Sequence, residues 1–243
     1  MSGDKTELID SLFDNNKIKP VIIDEYIDIF ERENKTSEDT VEAVFRQFPD
    51  NNDLSQVLAK VIILNNRYSA RLTDWSPSKN NVDVVSMAEH IIQINKNNHA
   101  IDECFDKDKA VKIIKKVSEL KARDTEKKMG EAVHTESRHY NAPSFASKYC
   151  SWTWMVRKTI DMPILDGYVA GMLYHIYKFE KIKKIEPFTE SFGQEKIKKD
   201  YGIFYKVYTD FVDKYLSDTK LNNKQIDEFL WQYAKSNDSG LRI

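Results

Sequence analysis

Residues that break regular structure are scarce in this chain. Seven glycines and six prolines among 243 residues leave little material for a many-turned β architecture and favour long helices. Apolar residues recur at helical spacing. Ile22, Ile23, Tyr26, Ile27 and Phe30 form one stripe, and Leu54, Val57, Leu58, Val61, Ile62 and Asn65 form another. The second stripe covers much of its helix's circumference, which predicts a central position. Thr36-Ser37-Glu38-Asp39 offers a capping signal for a separate helix that stops before Pro49. Further helices are predicted over 82–95, 107–122, 143–155, 167–180, 194–216 and 223–236, with 123–142 as the longest polar loop. No segment alternates as a half-buried strand would. The pattern predicts an all-α fold, a single compact domain over 1–243, with 1–50 as an acidic N-terminal layer and 54–243 bearing the motifs.

Charge is divided unevenly along the chain. Residues 1–56 carry a net −8 and the remainder +6, although the whole is only −2. The bases cluster, notably over 107–128 and 178–184, and such clusters can neutralise phosphates. A solvated lysine-rich surface has the same composition, so charge permits nucleic-acid binding without demonstrating it. Two cysteines, Cys104 and Cys150, cannot make a disulfide framework and suit a reducing compartment. The polar start MSGDKTELID is unlike a secretory signal, and no apolar run approaches a membrane span. A cytoplasmic, membrane-free monomer is the expectation.

The segment 143–179 concentrates the chemistry. Lys148 lies in an otherwise apolar and aromatic helix with Phe145, Tyr149 and Trp152; a loop containing Pro163 follows, and Asp166 stands directly before the next apolar helix. A neutral lysine is a nucleophile that can hold a sugar as a Schiff base, and burial among aromatics disfavours the charged form of an amine. A carboxylate stabilises positive charge developing on a sugar and can act as base. At a helix start it also accepts backbone N–H bonds that fix its direction. Either residue alone has an ordinary role, the aspartate as a cap and the lysine snorkelling to solvent. Their order and 18-residue separation carry the signal.

Helix, Pro-containing loop, aspartate and helix in this order resemble the helix-hairpin-helix DNA glycosylase superfamily, and in particular its prokaryotic and archaeal 8-oxoguanine glycosylase branch. The resemblance implies Lys148 as amine nucleophile and Asp166 as its carboxylate partner. Leu64–Thr73 (LNNRYSARLT) looks like the helix that inserts near the lesion in that branch, which implies Asn65, Asn66 and Arg67 as contacts to the unpaired base. Ile226–Lys235 (IDEFLWQYAK) is similar to a terminal Asp-x-x-x-Trp helix lining the extrahelical-base pocket, which implies Asp227 and Trp231, with Trp152 as a second wall. The same helix would in any case pack Ile226, Phe229, Leu230 and Tyr233 on the core.

The chain departs from the pattern in two places. Superfamily hairpins carry a Gly-rich turn whose N–H groups meet a phosphate, whereas HTESRHYNAPSFAS has no glycine, so side chains such as Arg138 must serve instead. The stretch SWTWMVRKTIDM before Pro163 is also unusual, and leaves the base open between an oxidised purine and a hypermodified base of invading phage DNA. His134, His139 and Cys150 lack a second close ligand pair, so no metal is expected, and no cofactor motif is present. The implied activity is excision of a flipped base from duplex DNA, with strand cleavage if Lys148 attacks and without it if water does. A catalytically silent DNA-binding module, or a helical interaction protein with no DNA role, fits the same composition.

Overall fold

The computed structural model describes residues 3–14, 17–68, 83–97, 99–121, 125–129, 132–136, 139–237 and 241. Their architecture is all-α. The elements run α1 (Gly3–Ser11), β1 (Phe13–Asp14), β2 (Lys17–Ile18), α2 (Pro20–Gln47), α3 (Leu54–Tyr68), α4 (Val84–Asn95) and α5 (Lys107–Ser118). Then come the short strands β3 (Glu119–Lys121), β4 (Thr125–Met129), β5 (Ala132–Glu136) and β6 (His139–Asn141). The helices α6 (Pro143–Arg157), α7 (Gly167–Lys183), α8 (Gln194–Lys199), α9 (Tyr201–Tyr215) and α10 (Asn223–Ser236) complete the order.

The chain divides into two compact units, one made of Met1–Glu38 with Asp161–Ile243, the other of Asp39–Ile160. The acidic N-terminal segment is therefore shared out, since α2 passes from the first unit into the second. Its capping signal is not used. Ile23, Ile27, Phe30, Asn34, Glu38, Val41 and Phe45 are all buried, an uninterrupted stripe at spacings of three and four that keeps the helix going. Ser37, offered as a cap, donates its hydroxyl back to the Asn34 carbonyl at 2.8 Å, the habit of a mid-helix serine.

In the second unit α3 packs on α4 and α6, and α5 packs on α6. Asp83 caps α4 by accepting from Ser86 N at 2.8 Å, and Asp106 caps α5 through Lys109 N at 2.7 Å. Helix α3 is less apolar in its burial than its sequence: Leu54 and Ile62 stay 42% and 39% exposed while Lys60 is fully buried. The polar stretch after α5 is organised as nested antiparallel pairs, β4 with β5 (Thr125↔Glu136) inside β3 with β6 (Glu119↔Asn141). Strands such as TEKKM show no apolar alternation, so only their backbone pairing marks them.

In the first unit α7 packs against α1, α9 and α10. The predicted 194–216 helix is interrupted at Asp200, whose extended backbone ends α8 and whose carboxylate caps α9 through Gly202 N at 2.8 Å. Helix α10 opens with a reciprocal capping box between Asn222 and Gln225. Glu180, fully buried on α7, accepts from Lys214 at 2.7 Å, from the Phe188 N–H at 3.0 Å and from the Tyr215 hydroxyl. No helix among the described residues is long and apolar enough to cross a membrane.

Candidate functional site

The predicted site residues fall into two groups, each coherent within its own unit. In the Asp39–Ile160 unit, Lys148 sits mid-way along α6 and is 5% exposed. Its Nζ donates to Ser144 Oγ one turn earlier at 3.1 Å and lies 4.9 Å from the centre of the Tyr68 ring. Trp152, one turn further along α6, is buried and donates Nε1–H to the Tyr68 hydroxyl at 3.1 Å. Phe45 lies near Trp152, with ring centres 6.3 Å apart. Tyr68 is the last residue of α3, so this one side chain brings α6 beside the Asn65-Asn66-Arg67 end of α3. Along that end, Asn65 is buried, Asn66 is exposed and Arg67 is half-buried with its guanidinium 5.3 Å from the Tyr68 ring. Two motifs roughly eighty positions apart in sequence thus meet inside one unit. Tyr68 itself escaped notice as a site residue, although it follows Arg67 directly in the same motif.

A second feature of this unit gave no sequence signal. Lys60 is fully buried and donates to the Asp50 carbonyl at 2.9 Å and to Asn51 Oδ1 at 2.6 Å. Its Nζ lies 5.6 Å and 5.5 Å from the Phe45 and Tyr149 ring centres. The Tyr149 hydroxyl donates to the same Asn51 oxygen, and Asn51 Nδ2 donates to Asp102 at 2.6 Å. Asn95 Nδ2 donates to the other Asp102 oxygen, also at 2.6 Å. Burial pulls the Lys60 ammonium down to about 8, with Asp102 and Asp50 opposing. Burial likewise holds the Tyr149 phenol well above its ordinary range. Every arm of this network ends on a partner, which makes it a rigid support beneath α6.

In the other unit, Asp166 is the N-cap of α7, half-exposed, accepting from Tyr168 N at 2.9 Å. The loop leading to it is pinned at three points. Asp161 accepts from Asn223 N at 2.9 Å, the Pro163 carbonyl accepts from the Tyr201 hydroxyl at 2.7 Å, and Ile164 N donates to Asp227 Oδ2 at 2.7 Å. Asp227 and Trp231 lie one turn apart on α10 with different surroundings. Asp227 is 7% exposed and lies beside Tyr208, whose hydroxyl donates to the Asn223 carbonyl at 3.2 Å. Burial raises the Asp227 carboxyl well above the usual carboxylate range. Trp231 is half-buried, meeting Tyr168 at 5.9 Å and Phe30 at 5.6 Å edge-on, with Lys235 Nζ 4.5 Å from its ring centre. Asp227 therefore fixes the residue two before Asp166, and Trp231 packs on the residue two after it.

Arg138 lies outside the described residues, as do the side chains of His134 and His139. Among the described residues no group of three or more His, Cys, Asp or Glu side chains converges as a metal site. Cys104 and Cys150 are buried free thiols that burial makes hard to ionise.

A family model described as HI_0787_N, N-terminal domain, matches residues 22–157, more than half of the chain. The chain belongs to this family. The HI_0787_N match runs from the start of α2 to the last residue of α6, and so includes Lys148, Trp152, Tyr68 and the Lys60 network. Asp166, Asp227 and Trp231 lie beyond it. No curated protein and no solved structure matches the chain.

Proposed function

We propose that this protein is a DNA glycosylase of the helix-hairpin-helix type, which removes an oxidised or otherwise modified base flipped out of duplex DNA. The observation that carries the proposal is the junction at Tyr68, where the buried amine of Lys148 and the indole of Trp152 adjoin the polar end of α3. A nucleophilic amine, an aromatic wall and planar amide and guanidinium donors are the chemical parts that such a reaction uses. In this reading Lys148 attacks the anomeric carbon and the base leaves. The resulting Schiff base then permits β-elimination. Asp166, presented by a pinned loop at a helix start, stabilises the positive sugar and serves as base. Asp227 and Trp231 belong to the recognition of the base.

The arrangement differs from the resemblance at the connection between α5 and α6, which is a nested pair of strands in place of a short Gly-rich turn. That difference favours a second reading, a DNA-binding module of the same descent without catalysis. One experiment separates the two. Duplexes carrying 8-oxoguanine and a panel of other modified bases are incubated with the protein, with and without borohydride, and assayed for free base, nicks and a covalent adduct. The glycosylase reading expects base release and an adduct that disappears in Lys148→Ala. An adduct that survives that substitution removes the lysine mechanism, and binding without release from any duplex establishes the silent module.

A further inference from the structure

The two lysine-rich stretches differ in what the fold does with them. Around the end of α7, Lys178 and Lys181 lie 5.6 Å and 5.0 Å from the Tyr174 and Tyr177 ring centres, and Lys183 bonds Asp10 at 3.1 Å. Elsewhere Lys17, Lys198, Lys199, Lys206, Lys214 and Lys224 each meet a carboxylate. Helix α5 gathers five lysines that meet none. Its Lys107, Lys109, Lys112, Lys115 and Lys116 are all exposed, and none makes an ion pair with a described residue.

The helix dipole accounts for only part of this placement, favouring Asp108 in the first turn and Lys115 and Lys116 in the last. Lys107 and Lys109 occupy the first turn, where the helix dipole disfavours cations. Lys109, Lys112 and Lys116 are spaced i, i+3, i+7, so like charges face one another along one stripe. That stripe flanks the buried Ala110, Ile113, Ile114 and Val117 on one side, with Lys109 and Lys116 each one turn from Ile113, and it spans about 10 Å at the rise of an α-helix. Phe105 adds a second unexplained exposure. It precedes the Asp106 cap, where an apolar residue ordinarily folds back onto the first turn, yet it is 71% exposed.

We infer that the Lys109–Lys112–Lys116 face of α5, with Phe105 at its leading end, docks on the phosphate backbone of a nucleic-acid duplex. The inference rests on the reading above only in taking duplex DNA as the ligand; it does not require base excision. An unneutralised cationic stripe gains counterion-release energy from a polyanion, and the packing of α5 on α6 ties that grip to the helix bearing Lys148. The surface positions the duplex and reads no sequence.

The test measures affinity of the full chain for a short unmodified DNA duplex by fluorescence anisotropy over a series of salt concentrations. Replacing Lys109, Lys112 and Lys116 together by Gln is expected to flatten the log–log salt dependence by roughly 2 to 3 units, at about 0.9 for each phosphate that is no longer neutralised. The triple Arg variant should restore the slope, and Lys198→Gln with Lys199→Gln should leave it unchanged. The Gln variant should melt no lower than the wild type, because it removes repulsion. An unchanged slope with binding retained overturns the inference and leaves the glycosylase reading standing. Binding through α5 without base release upholds the inference and overturns that reading. Absence of duplex binding, or binding to anionic phospholipid vesicles instead, overturns both.

Discussion

Trp152 donates its indole N–H to the hydroxyl of Tyr68 at 3.1 Å, across eighty-four positions of sequence. The bond joins the end of α3 to the middle of α6, and the Lys148 ammonium lies over the same tyrosine ring. One phenol thus orders both the proposed nucleophile and its neighbouring aromatic wall.

Tyr68→Phe keeps the ring and removes the acceptor. It should cost about 1 kcal/mol in urea denaturation, the net worth of one such bond, and should leave the borohydride adduct in place. Tyr68→Ala also removes the surface against which Lys148 lies, and should lower adduct yield at least tenfold with the fold retained in circular dichroism. Equal yields from the two variants would remove the ring from any part in placing the amine.

Asp166 has a structural and a chemical role that one substitution separates. Asparagine caps a helix as well as aspartate does, so Asp166→Asn should melt within a few tenths of a kcal/mol of the wild type. Asp166→Ala loses the bond to Tyr168 N and should be about 1 kcal/mol less stable. If the carboxylate charge serves the chemistry, both variants lose base release by a factor of at least a hundred. Base release preserved in Asp166→Asn would limit this residue to its capping role.

The Lys60 ammonium is pulled down to about 8 from an ordinary 10.5, so the fold prefers the neutral amine. Below about pH 8 the amine is charged in both states and the preference brings no benefit. As pH rises from about 8 towards 10.5, the folded state sheds its proton first and gains stability. Two and a half pH units correspond to at most about 3 kcal/mol. Tyr149, held well above its ordinary 10.0, reverses the trend once unfolded phenols begin to ionise. Denaturation at pH 7.5 and 9.5 should therefore show a rise that Lys60→Met abolishes; a rise that persists in the variant would have another origin.

Asp227 runs the other way. Its folded carboxyl titrates well above the ordinary 3.8, so stability from this group is complete below that value and is lost as pH rises through the folded one. Asp227→Asn keeps an oxygen for Ile164 N–H and has no charge to bury. It should gain stability relative to the wild type at pH 7.5 and much less at pH 4. Asp227→Ala leaves the Ile164 N–H unsatisfied and should cost about 1 to 3 kcal/mol. A wild-type advantage over Asp227→Asn at pH 7.5 would contradict the buried-carboxyl account.

What the chain's sequence disclosed follows from the range of the forces involved. Helix α10 is legible to the residue, because Asn222, Gln225 and the apolar spacing after them are local signals. Asp166 as a helix start is legible for the same reason. Asp200 was not, since its neighbours on both sides are good helix formers and only its own extended backbone divides them. Ser37 misled because a capping motif is weaker than a continuous buried stripe. Tyr68 and Lys60 were missed because their partners lie 84, 80, 10 and 9 positions away, and no periodicity encodes such pairings. A lysine at position 60 reads as solvated until Asn51 and Asp50 are seen to close over it.

Helix α2 crosses from one unit to the other, and the chain returns only at Asp161. The unit 39–160 is consequently continuous in sequence, while its companion is assembled from two ends of the chain. During synthesis the continuous unit is complete on emergence and free to fold first, whereas Ile23, Ile27 and Phe30 leave the ribosome long before α10 is made. For that interval the N-terminal half of α2 carries an apolar edge whose partners in its own unit, Trp231 among them, are not yet made.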